Sequence, residues 1–112
     1  MAPKGVRTST CTPQDARSRL RQAEAFVMAA DLVLSDDTDT ATPGVAAALA
    51  VLAGIAASDA ACCVKLGRRP RGQHHRDAVD LVATVVPHGD AMGKDLARLL
   101  VAKDESHHGH PR

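Results

Sequence analysis

Residues 44–64 constrain this chain more than any other stretch. From Gly44 to Val64 nine of the 21 residues are alanine, and they hold a single charge, Asp59. Alanine is the strongest helix former. Val45, Leu49, Leu52, Ala56, Asp59, Cys63 and Leu66 recur at helical spacing, and the remaining faces are apolar too. A helix that is apolar nearly all round belongs at the centre of a fold. Its length also matches a bilayer span of ~20 residues. Alanine is weakly apolar, however, and Asp59 at membrane depth is costly. The reading is a buried central helix, with no membrane partner expected.

The rest of the chain supports an all-α fold. Hydrophobic residues make up 45%, yet Phe26 is the single aromatic, whereas sheets favour aromatic and branched residues. Thr12-Pro13-Gln14-Asp15 is a helix start, with Thr at the N-cap, Pro at the first helical position and an acid in the first turn. The stripe Ala16, Leu20, Ala23, Val27, Ala30, Leu34 then predicts a first helix over 13–35. Arg17, Arg19, Arg21, Glu24 and Asp31 fall mostly off that stripe. The acidic loop 35–40 lacks the central Gly and final Glu of a calcium loop and reads as a solvated linker. Thr42-Pro43 starts the second helix, 43–66, and Gly67 suits the position after its end. A third helix is expected over 73–86, stopped by Pro87-His88-Gly89. A fourth runs from Asp90 or Ala91 to Lys103 or slightly beyond. Short connections imply a four-helix up-and-down bundle. Residues 1–12 read as a disordered arm, 13–106 as one bundle and 107–112 as a His-rich tail.

Charge and cysteine content exclude several classes. Fourteen basic and 13 acidic residues give a net charge of +1, which offers no argument for a polyanionic partner. One aromatic residue makes a poor stacking surface for single strands. Cys11, Cys62 and Cys63 are an odd count with two adjacent, a poor disulfide framework. Cys62 and Cys63 read as small packing residues, since neighbours on a helix point ~100° apart and do not share one metal. No apolar leader precedes residue 12, so a cytoplasmic location is expected.

A few residues stand out for chemistry. Asp59 on the apolar stripe needs a cationic partner, such as Lys65 or Arg76, or else contributes to a site at an interface. Arg68, Arg69 and Arg71, followed by His74 and His75, form a basic turn ahead of a helix start. Such a turn is either solvated or holds a phosphate or RNA backbone. His107, His108 and His110 lie at or past the last helical turn and carry the ligand type of a transition-metal site or of a solvated tail.

The order of these features resembles the HEPN domains. The resemblance rests on the long first helix, the alanine-rich second, and the turn Arg71-Gly72-Gln73-His74-His75. It rests also on the ending in which Leu99-Leu100 precede Lys103-Asp104 and His107-His108. It covers residues 13–110. The family's last helix carries Arg-x4-His; here Lys103 and His108 hold that spacing, and His110 stands where some members have Tyr. The resemblance implies a dimerising bundle of four or five helices. Many members cut RNA without a metal, and others are inactive partners, often of a nucleotidyltransferase antitoxin. By that likeness Lys103 would bind phosphate, His108 would act as acid or base, and Asp104 would orient it. Lysine keeps the charge of arginine but not its bidentate fork.

Three functions follow as expectations: a metal-independent RNA-cleaving toxin, a non-catalytic protein-binding module, and a small metal-binding helical protein acting through its terminal histidines. The first two need no cofactor. A homodimer is expected because the second helix has more apolar surface than three neighbours in a 112-residue chain readily cover.

Overall fold

The computed structural model describes residues 5–36, 42–71 and 75–108. The described residues are mostly helical, with four helices and one small sheet: β1 (Thr8–Thr10), α1 (Pro13–Ser35), α2 (Thr42–Leu66), β2 (Arg68–Pro70), α3 (His75–Val82) and α4 (Gly89–His108).

α1 starts as its sequence dictates. Thr12 accepts from the Asp15 amide at 3.1 Å, and Asp15 accepts from the Thr12 amide at 2.8 Å, a reciprocal capping box. Pro13 occupies the first position, where a missing N–H costs nothing. The backbone hydrogen bond from Thr12 holds the Asp15 carboxyl below the usual carboxylate range. α2 ends where Gly67 takes a positive φ of 68° and its amide donates to the Cys63 carbonyl at 3.0 Å. That left-handed cap is one glycine adopts without Cβ strain.

α1 lies along α2, while α3 and α4 pack on α2 and on each other. The main apolar cluster sits where the second half of α2 meets α3 and α4, around Cys62, Leu81, Val82, Val85 and Leu96. Two glycines permit these approaches. A Cβ on Gly54 would lie 2.7 Å from the Leu99 side chain, and one on Gly89 would lie 2.5 Å from the Val82 carbonyl oxygen. α2 is long and apolar enough to cross a membrane, with a mean hydropathy of 2.0. It nonetheless carries Asp59, which is ion-paired to α1.

Several expectations require correction. The arm expected to be disordered through residue 12 forms strand β1, which pairs antiparallel with β2 in the register Thr8 to Pro70, Ser9 to Arg69 and Thr10 to Arg68. Val6 packs against the apolar cluster. Cys63 is not a packing thiol: it forms a disulfide with Cys11, Cα atoms 5.6 Å apart. The basic turn after Gly67 is in part a strand. The third helix is shorter than 73–86 and ends at Val82, giving way to turns before α4. α4 continues to His108, past the expected boundary of the tail at 107.

Candidate interaction surface

The first helix buries a different row from the one its apolar stripe suggests. Ala16, Ala23 and Ala30 are buried, as expected. Their partners in the seam are Arg19, Phe26 and Val33, three residues further on, all partly buried. Leu20, Val27 and Leu34 stay 50%, 50% and 56% exposed. Small alanines let α1 approach α2 closely, and the larger residues are left standing at the edge of the contact.

That edge is one wall of an apolar trough along α1 and α2. It has two lobes, of about 540 and 850 Å³. Leu20 lines the first lobe, and Val27 and Leu34 line the second. The floor of the second lobe is α2 alanine, including Ala46, Ala50, Ala53 and Ala57, with Leu99 of α4 on the far side. The first lobe is bounded by Ala60, Val64 and the turn residues Val85 and Pro87. Charge divides the two lobes. Arg17 and Lys65 flank the first, Glu24 and Asp31 the second.

The residues expected to carry chemistry fall into separate places. Asp59 is nearly buried, and its Oδ2 accepts from Arg19 Nη2 at 2.8 Å and from Nε at 3.2 Å. Neither Lys65 nor Arg76 is the partner: Lys65 flanks the trough, and Arg76 pairs with Asp80 at 3.6 Å. Burial pushes the Asp59 carboxyl above its ordinary range, opposed by Arg19 and then by Arg69. Cys62 lies one turn further along, buried and free, its thiol pushed up to about 12 by burial and then by the Asp59 charge. A thiol in that state is a poor nucleophile.

Arg68 donates to the Thr8 hydroxyl at 2.6 Å, and the Arg71 amide donates to the Arg7 carbonyl at 2.9 Å. The ribbon thus brings Arg7 beside the basic turn, a residue the sequence pattern did not join to it. His74 lies outside the described residues. Lys103, Asp104 and His108 are in the last turns of α4, beyond the residues whose side chains are described, and His110 lies outside them altogether. Among the described residues, no group of three His, Cys, Asp or Glu side chains is placed to hold a metal.

Comparison with protein-family models, curated proteins and solved structures finds no match in any of the three.

Proposed function

We propose that this chain is a non-catalytic association module that works as a homodimer, with the trough of each copy closed by the other. The observation that carries this reading is the trough itself: a row of half-exposed Leu20, Val27 and Leu34 beside an alanine floor. Large side chains on a helix and small ones beside them are knobs and holes on the same surface. A two-fold axis sets the knobs of one copy over the holes of the other, because a two-fold interface is self-complementary. The charges fit the same arrangement. An antiparallel copy brings the Arg17 and Lys65 end of one trough to the Glu24 and Asp31 end of the other. The four-helix, HEPN-like up-and-down bundle belongs to this reading, as its binding-module form. Paired charge-reversal variants test it. Arg17→Asp and Asp31→Arg should each weaken association, and the double variant should restore it; failure of the double variant to recover contradicts the antiparallel arrangement.

A second reading, metal-independent RNA cleavage, is supported by the helical continuation of α4 to His108, which puts Lys103, Asp104 and His108 in one regular element. In that reading Lys103 neutralises phosphate charge, while His108 moves the proton. Cleavage of single-stranded RNA that persists in EDTA and is lost in His108→Ala would favour it over the first reading.

A further inference from the structure

We infer that the Cys11–Cys63 disulfide is a redox clasp on the association trough: its reduction frees the start of α1 from α2 and weakens the pairing of two copies. The inference rests on the association reading above and names its regulation. Cys11 directly precedes the α1 N-cap, Thr12, while Pro13, Ala16, Arg17 and Leu20 of the following turns line the first lobe. Cys63 sits on α2 between Ala61 and Val64, which line the same lobe. The two long helices are joined by the chain at one end and by this bond at the other.

The other ties at that end are noncovalent: the β1–β2 ribbon, the Arg68–Thr8 and Arg71–Arg7 hydrogen bonds, and Val6 against the apolar cluster. The strands β1 and β2 have three residues each, and a ribbon that short depends on the packing of β2 against α2 and α3. The Cys11 amide adds one hydrogen bond to the Gly67 carbonyl at 3.0 Å. The next polar tie along the hairpin is Arg19 to Asp59. Once the bond is cut, the first turn of α1, ahead of buried Ala16, loosens while the Arg19–Asp59 pair holds. The capping box of Thr12 and Asp15 is independent of the sulfurs, so the segment stays helical as it moves.

The chemistry is thiol–disulfide exchange with a small dithiol. One thiolate of the dithiol attacks Cys11 Sγ, the more accessible sulfur, since Cys11 is partly exposed and Cys63 is buried. The protein S–S bond breaks, a mixed disulfide forms at Cys11, and Cys63 leaves as a thiolate that takes up a proton. The second thiol of the reagent then displaces Cys11. The protein disulfide gains two electrons and two protons, and the dithiol is oxidised to its cyclic disulfide. An oxidised small-molecule disulfide reverses the reaction. A reducing compartment holds such a pair as thiols and an oxidising one keeps the bond, so the clasp reports the redox state of its surroundings. Cys62, with its protonated buried thiol, stays out of it.

The test compares the full chain oxidised, reduced with dithiothreitol, and as Cys11→Ser, by sedimentation and circular dichroism. Reduction and Cys11→Ser should each weaken association about ten-fold with helicity retained. The reduced Cys62→Ala variant should show the same loss. Equal association of oxidised and reduced protein overturns the inference. So does a reduction that melts every helix, or a response that vanishes in Cys62→Ala. If the oxidised chain is monomeric, the association reading fails, and the clasp is judged by amide exchange instead. Faster exchange confined to the first turns of α1 on reduction supports it, and unchanged exchange overturns it.

Discussion

Asp59 shows how one residue sets the tolerance of the α1–α2 contact. A carboxylate this buried costs free energy unless a cation meets it, and Arg19 supplies two donors from the facing helix. Removing one partner of such a pair is more costly than replacing both. Arg19→Ala should therefore destabilise the fold by about 2–3 kcal/mol at neutral pH, less than a fully buried pair because Arg19 is partly exposed. The sign of the pH dependence follows from the direction of the shift. Asp59 titrates above its unfolded value, so its contribution is most favourable below the unfolded value and is lost as pH rises through the folded one. The penalty of Arg19→Ala should accordingly shrink as pH falls into the carboxylate range, which urea melts at neutral pH and at about pH 4 would show. Asp15, held low by its Thr12 hydrogen bonds, runs the opposite way: its contribution is present above the unfolded value and is lost as pH falls. Asp59 was legible in the sequence as a charge needing a partner, but its partner was not. Periodicity placed Arg19 off the apolar stripe, and nothing local says that an arginine faces inward. Cys62 yields a further expectation at this scale: iodoacetamide at mildly alkaline pH should leave it unmodified in the folded chain and label it on unfolding.

Among the elements, α1 carries the lesson about what periodicity can and cannot specify. Its limits, 13–35, follow from the Thr12-Pro13 start and the acidic stretch after Ser35, and the helix runs over those residues. The face it buries was harder to read. Ala16, Ala23 and Ala30 fit two neighbouring rows, one continued by Leu20, Val27 and Leu34, the other by Arg19, Phe26 and Val33. Hydrophobicity favours the first row, but close approach of alanine to alanine-rich α2 selects the second, leaving the more apolar row for another surface. Burying the exposed half of each of those three side chains is worth about 1 kcal/mol apiece. Counted twice across a two-fold axis, the row gives about 6 kcal/mol before the entropic cost of association. Val27→Glu, at the middle of the row, should thus abolish pairing while leaving the melting temperature of the monomer nearly unchanged. Gly89 tests the other contact surface. Its missing Cβ faces the Val82 carbonyl, a backbone group that cannot swing away, so Gly89→Ala should cost about 1–3 kcal/mol in chemical denaturation.

For the whole molecule, the covalent tie is as informative as the packing. The Cys11–Cys63 bond joins residues 52 apart, and closing a loop of that length removes about 4 kcal/mol of unfolded-chain entropy. The denaturation midpoint should fall on reduction by an amount that matches Cys11→Ser. An odd cysteine count argued against any bond, yet a signal for this one was present. Two consecutive helices of nearly equal length, folded back on each other, bring the residue before the first next to the end of the second. The same antiparallel matching sets Arg19 opposite Asp59. The basic turn illustrates the converse, since its partner strand lies 60 residues earlier in a segment with no apolar alternation to announce it. The central claim is that the trough is closed by a second copy, and light scattering on the oxidised full chain at tens of micromolar reads it directly. The account predicts a mass of twice 11.7 kDa for the wild type and 11.7 kDa for Val27→Glu with the same helical spectrum. A wild-type mass of 11.7 kDa would contradict it.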